Sequence, residues 1–321
     1  MNPWIKSAIV ALILSISLPA QAGFFDWLWG SKNKGATKHP IVLVPGIFAF
    51  DTIAGIDYWY RIPGALEDEG ATVYVPKINA FDSSSMRGER LIQQLDAIRA
   101  ASDGRITRFN LIGHSQGGIT ARYVMNVRPD LVASVTTLHS PHKGSPLADV
   151  LTGTAPEGSL RGVGFETLAN TVGNLVNLLS ANKADRSDIY AMLSEFNKPG
   201  AAAFNNLFPA GVPTSDCGQG PSSVNLYGHP IRLYSWSGTA RFTTGLDPSD
   251  TLFGLTSLAI PGASDGVTGR CSSHFGQVIR DDYSMNHIDV NNQVLGMVSL
   301  FETSPLTLMR NHARRLKNAG L

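Results

Sequence analysis

Residues 109–118, FNLIGHSQGG, set a serine between two glycines at the spacing G-x-S-x-G. An apolar run, Phe109 to Ile112, leads into the motif. A helical pattern with Thr120, Ala121, Tyr123, Val124 and Met125 follows it. With a strand before it and a helix after it, this motif makes a sharp turn with the serine at its apex. Gly113 and Gly117 carry no side chains where strand and helix would collide. The turn would push the Ser115 hydroxyl out beside the backbone N–H groups of the helix start. The expected chemistry is nucleophilic attack; the alternative is a structural turn, because glycine and serine are common.

A serine hydroxyl is a poor nucleophile unless a histidine takes its proton and a carboxylate holds that histidine in the right tautomer. Six histidines follow Ser115: His139, His142, His229, His274, His287 and His312. His287 stands out, in the polar stretch YSMNHIDVNNQ near the C-terminus. For the acid, Asp265 lies in PGASDGVTG, after the apolar run at 255–260. An aspartate beside glycine also reads as a plain turn residue, so position alone leaves its role open.

The elements that must position these residues alternate. Residues 41–44 (IVLV) read as a buried strand ending at Pro45-Gly46. A helix at 61–69, a strand at 72–75 and a helix at 84–101, with Leu91, Ile92, Leu95 and Ile98 on one face, come next. The strand at 109–112, the helix after Ser115 and a strand at 133–138 complete the run. Such alternation predicts an α/β fold, a mostly parallel sheet with helices on both faces. In α/β-hydrolases the chain order is serine, acid, histidine, with the base in a loop near the C-terminus, which favours His287. Beyond residue 146 the spacing of Phe165, Leu168, Val172, Leu175, Val176 and Leu179 predicts an apolar helix with almost no charge on its other face. It is either a core helix or a lid, at about 152–182, that opens onto lipid. Strands at 230–236 and 277–279 and helices near 291–301 and 305–317 close the chain.

With 321 residues, 43% hydrophobic and 16% charged, the chain is long enough for one large domain over 23–321. Its formal charge of +1 gives no reason to expect nucleic acid as a partner. Residues 1–22 read as a signal peptide: Lys6 in the n-region, an apolar stretch at 8–18, and Ala20-Gln21-Ala22 as the cleavage site. The expected destination is outside the cell, with an uncleaved anchor as the alternative. Export permits a disulfide, and Cys217 and Cys271 would close a loop of 54 residues, worth roughly 4 kcal/mol on the chain-entropy model. Two free thiols are the other possibility.

The stretches DYWYRIP (57–63), GHSQGG (113–118), RYVMNVRPDL (122–131), PHKGS (141–145), LDPSD (246–250), CSSH (271–274), MNHIDVNNQV (285–294) and SLFETSP (299–305) go further. On them the chain resembles the secreted triacylglycerol lipases of the pseudomonad type, the foldase-dependent bacterial family I, from about His39 to the C-terminus. The resemblance implies an α/β-hydrolase fold with a helical lid and a catalytic triad of Ser115, Asp265 and His287. It implies oxyanion donors at the backbone N–H groups of Gln116 and Ile47. It also implies one structural calcium ion, held by carboxylates of Asp247 and Asp289 and carbonyls of Gln293 and Met297, an all-oxygen set that suits this ion. By themselves Asp247 and Asp289 read as solvated turn aspartates. Many relatives have His-Gly before the oxyanion residue where this chain has Pro45-Gly46-Ile47. The missing proline N–H leaves the implied donor, two residues on, in place.

The resemblance further implies a lipid–water interface as the working surface, a periplasmic lipase-specific foldase, and exit by type II secretion. Monomer is the default state. The leading expectation is a secreted serine lipase acting on long-chain acylglycerols. A carboxylesterase on soluble short-chain esters is the nearest alternative. A non-catalytic exported lipid-binding scaffold is the alternative from a different class.

Overall fold

Apolar residues alternate between the two faces of the central strands, and that alternation decides the layering. In the computed structural model, which describes residues 33–47, 57–155 and 186–321, β1 (Ile41–Val44) sends Ile41 and Leu43 to one face and Val42 and Val44 to the other. β3 (Phe109–His114) and β4 (Val132–Leu138) do the same with Ile112 and Leu138 against Leu111 and Val135. Side chains two apart share a face of a pleated strand. Both sets are fully buried, so both faces need cover, as parallel sheets do.

On the first face lie α1 (Ile62–Glu67) and the C-terminal helix, which place Ile62, Leu66, Met309, Ala313 and Leu316 against the sheet. On the second lie α2 (Ser84–Ala101), with Leu91, Ile92 and Leu95, and α3 (Gln116–Val127), with Ala121, Val124 and Met125. Among the described residues the sheet has seven strands, ordered β2-β1-β3-β4-β6-β5, with β7 also paired to β6. β2 is Val73–Tyr74, β5 Ser223–Leu226, β6 His229–Gly238 and β7 Gln277–Tyr283. Every pairing is parallel except β5 with β6. The expected α/β architecture stands, and β5 is the strand the sequence pattern did not reveal.

The remaining described helices are α4 (Pro146–Leu151), α5 (Arg186–Ser194), α6 (Lys198–Leu207) and α7 (Pro248–Thr256), and the C-terminal helix, α8 (Pro305–Asn318), closes the chain. The helix expected near 291–301 is absent. A single 3-10 turn, Asp289–Asn291, is followed by left-handed Asn292, Leu295 and Gly296. The reason lies in long-range side-chain bonds. Asn291 Nδ2 donates to the Tyr58 carbonyl and Asn292 Nδ2 to that of Tyr60, both at 2.9 Å, tying this segment to the chain before α1, while its own backbone bonds close separate turns and not a continuous helix. The expected signal peptide (1–22) and most of the expected lid, including its apolar helix at 165–181, lie outside the described residues. From Asn33 onward the chain packs as one unit.

Candidate active site

β3 ends at His114 and α3 begins at Gln116, so one residue makes the whole turn. Ser115 has φ 55° and ψ −125°, a strained conformation that neighbouring structure must hold. The glycines show why the turn is possible. A β-carbon on Gly113 would lie 2.3 Å from the Gly117 carbonyl oxygen, and one on Gly117 only 2.1 Å from that of Val44. Neither contact is physically open to a larger residue. Because Gln116 is the first residue of α3, its N–H has no carbonyl one turn back in the helix. The Gln116 amide is anchored in turn, its Nε2 donating to the Asp82 carbonyl at 2.9 Å.

Tertiary packing brings the three sequence candidates together. Ser115 Oγ donates to His287 Nε2 at 2.9 Å, and His287 Nδ1 donates to Asp265 Oδ2 at 2.8 Å. Ser115 is 4% exposed, and the other two are completely buried. The His287 backbone N–H also donates to the Asp265 carbonyl, at 2.9 Å. Asp265 Oδ1 accepts the N–H groups of Val267 and Thr268, at 2.8 and 2.6 Å. The acid therefore caps its own turn with one oxygen and orients the histidine with the other. Burial alone would raise the Asp265 carboxyl, but His287 and His139 beside it hold it well below the usual carboxylate range.

Three residues of the site escaped the sequence reading of roles. His139, directly after β4, donates from Nδ1 to the same Asp265 Oδ2 at 2.7 Å. Tyr58, in the DYWYRIP stretch, accepts the Gly46 N–H at 2.8 Å and donates to His114 Nδ1. Arg87, fully buried, donates to the carbonyls of Pro45 and Asn79 and to the Thr120 hydroxyl. Desolvation lowers its guanidinium to about 10, still far above neutral pH, so a buried cation clamps the loop after β1. The DYWY run was visible as a motif. No periodicity or spacing marked Arg87 or His139.

Ser115 and Gln116 line an apolar cavity together with Ile47, Leu147, Leu151, Leu193, Phe196, Leu252, Phe253 and Val267. The two expected oxyanion residues thus line the same cavity as the serine. A β-carbon on Gly46 would fall 2.8 Å from Ser115 Cβ, so the Pro45-Gly46-Ile47 loop passes as near the nucleophile as a backbone can. An ester held with its carbonyl between Ser115 and this loop could have its acyl chain in the cavity.

The expected cation ligands occupy the loops on either side. Asp247 is the N-cap of α7, with Oδ1 accepting the Ser249 N–H at 2.7 Å, while its buried Oδ2 meets no hydrogen-bond partner among the described residues. Burial, with Asp247 and Asp250 as like charges, raises the Asp289 carboxyl to about 7. Two mutually repelling buried carboxylates, one with an unpaired oxygen, are the donor chemistry a hard divalent ion satisfies. Asp250 accepts the N–H groups of Thr243, Thr244 and Gly245 and the Asn286 amide, so it is already saturated. The two carboxylates therefore fit the ion. Cys217 and Cys271 form the expected disulfide, and His274, three residues on, bonds the Gly218 carbonyl and Asp281.

Comparison with known proteins agrees with this geometry. Residues 39–289 match the family model described as alpha/beta hydrolase fold. The chain is 49% identical to a triacylglycerol lipase of Vibrio cholerae serotype O1, over 97% of this chain and 99% of that one. It is 38% identical to a triacylglycerol lipase of Pseudomonas fragi, over 89% and 98% respectively. The crystal structure of a metagenomic carboxyl esterase shares the fold at a TM-score of 0.56 and 17% identity, covering 88% of this chain and 76% of that chain. A serine at a strained strand–helix turn, its bonded histidine and carboxylate, and near full-length similarity to lipases lead to one assignment: the chain belongs to the alpha/beta hydrolase fold family, among the bacterial lipases of the pseudomonad type.

Proposed function

We propose that this enzyme hydrolyses carboxylic ester bonds of long-chain acylglycerols through an acyl-enzyme on Ser115. The observation that carries the reading is the bonded series Ser115–His287–Asp265 opening onto an apolar cavity. Ser115 Oγ attacks the ester carbonyl while His287 Nε2 takes its proton. The N–H groups of Gln116 and Ile47 stabilise the oxyanion, where loss of one donor costs roughly 3–4 kcal/mol. His287 then returns the proton to the departing alkoxide, leaving the acyl group on Ser115. Water, deprotonated by the same nitrogen, releases the fatty acid. Asp265 stays ionised throughout and keeps the proton of the resting imidazole on Nδ1.

Calcium would be held by Asp247, Asp289 and the carbonyls of Gln293 and Met297. It would supply positive charge between two loops and no chemistry at the ester. Asp289 is two residues from His287, so a bound ion fixes the loop that carries the base. The reading extends to the cell. The N-terminal segment directs export, a periplasmic foldase assists folding, type II secretion releases the enzyme, and it works as a monomer at a lipid–water interface. An apolar segment within 152–182 serves as the lid.

The test compares emulsified trioleate with dissolved tributyrin, using the parent enzyme and Ser115→Ala. Activity that rises at the emulsion and disappears in the variant is expected. Hydrolysis of tributyrin alone would reassign the enzyme to soluble esters. Undiminished activity of Ser115→Ala would overturn the nucleophile.

A further inference from the structure

His139 carries two local disadvantages. Its φ is 51°, in the left-handed region that a β-carbon disfavours. Its ring is completely buried, yet Nε2 meets no hydrogen-bond partner among the described residues. Desolvating a polar nitrogen without pairing it is unfavourable, and an unpaired buried group in a folded protein calls for a reason.

The rest of the residue is held firmly. Its N–H donates to the Trp236 carbonyl at 3.2 Å, and its carbonyl accepts the Thr268 hydroxyl at 3.3 Å. Thr268 is also the residue whose N–H binds Asp265 Oδ1 at 2.6 Å. The backbone of His139 and the turn of the acid are thus fastened to each other. The ring then makes its one strong bond, Nδ1–H to Asp265 Oδ2 at 2.7 Å. Desolvation by burial lowers His139 from its ordinary value, so the ring is neutral. With its proton on Nδ1, Nε2 is a bare acceptor to which none of the described residues donates.

We propose that His139 is a positioning residue of the triad, whose Nδ1–H occupies the second acceptor site of Asp265 Oδ2 and fixes the rotation of the carboxylate against His287. The inference rests on reading Ser115, His287 and Asp265 as the triad. The terminal torsion of an aspartate is broad. Two backbone donors on Oδ1 locate that oxygen but leave Oδ2 free to swing through a small arc. His287 cannot stop the swing alone, because its ring must stay aligned with Ser115 while protons move. A donor across Oδ2 from His287 does stop it. The buried Nε2 and the left-handed backbone are tolerated because they deliver that donor. Oδ2 then faces His287 Nδ1 along one direction, which keeps the serine-facing nitrogen bare for proton transfer.

The experiment uses the full folded enzyme with His139→Leu, His139→Gly and His139→Asn. Leucine keeps apolar bulk and removes the donor. Glycine removes the donor but accepts the left-handed φ. Asparagine restores an N–H near the Nδ1 position and tolerates the same φ. Active sites are counted by stoichiometric phosphonate labelling of Ser115, and kcat and KM on tributyrin are expressed per labelled site. We expect kcat about tenfold or more lower in His139→Leu and His139→Gly, with KM nearly unchanged, since small misplacements of reacting groups cost factors of this size. His139→Asn should recover most of the loss. Proton NMR of the parent, with its imidazole N–H resonances assigned, should show low-field signals from both His287 and His139, the second of which vanishes in the leucine and glycine variants. Equal kcat per labelled site in those variants, failure of asparagine to recover it, or the absence of a low-field His139 resonance in the parent would overturn the proposal. The parent spectrum decides even where a variant does not fold. Failure of Ser115 to label in the parent would instead overturn the triad reading beneath it.

Discussion

His114, the residue before the nucleophile, donates from Nε2–H to the carbonyl oxygen of His287 at 2.7 Å. Burial holds its imidazole well below the ordinary value, so its Nδ1 is an acceptor, and it takes the Tyr58 hydroxyl. Tyr58 in turn accepts the Gly46 N–H. One directional series therefore runs from the loop after β1, past Ser115, to the backbone of His287. The loop that carries Pro45 is anchored by Tyr58 through the following residue.

Tyr58→Phe should break that series at both ends. It leaves the Gly46 N–H and His114 Nδ1 buried without partners, a cost of about 1–3 kcal/mol. The expected result is a lower urea midpoint together with kcat reduced roughly tenfold. An unchanged midpoint would show that neither group needs the hydroxyl.

Acid should destabilise the fold through its buried histidines, and His312 gives the sign. It is completely buried between Tyr234 and Trp236, bonded to the Thr136 hydroxyl and to Arg315. Burial, reinforced by the Arg315 charge, lowers it from 6.5 to about 3. The unfolded chain therefore binds the proton first. Stability from this group is full above pH 6.5 and falls as pH drops toward 3, by up to about 1.4 kcal/mol per pH unit. Urea unfolding between pH 7 and 4.5 should show the decline, and His312→Gln should flatten it.

Calcium removal should act on stability and on the base loop together. Chelation is expected to lower Tm and kcat, and both should return on adding calcium. Asp247→Asn should leave Tm almost indifferent to calcium, because Asp247 Oδ2 is the unpaired donor. A variant still stabilised by micromolar calcium would exclude Asp247 as a ligand.

Leu147 lies on the wall of the cavity, 3% exposed, among Leu151, Leu193 and Phe196. Leu147→Trp should shorten the space for an acyl chain while leaving Ser115 untouched. The ratio of kcat/KM for octadecanoyl over butanoyl esters is expected to fall by about tenfold or more, the lower end of the range for a lost apolar contact in a pocket. An unaltered ratio would mean that acyl chains lie elsewhere.

The sequence by itself determined the elbow, the strands on either side of it and the helix at 84–101, because each is written in local periodicity. Gly113 and Gly117 were legible for the same reason: the contacts they permit lie within a few residues and the first strand. The base and the acid were legible mainly through long motif matches. Asp265 shows why spacing alone was not enough. One oxygen caps its own turn and the other bonds His287, so the geometry of a turn residue and of a histidine partner coexist in one side chain. Only the tertiary structure decided the rest. The pattern at 291–301 suggested a helix, but Asn291 and Asn292 bond to Tyr58 and Tyr60, more than 200 residues earlier. His139 joins the acid across 126 residues, and Arg87 reaches the first strand's loop across 42. Such partners have no period and no fixed spacing. They exist only once the sheet has set the ends of β1, β3 and β4 side by side.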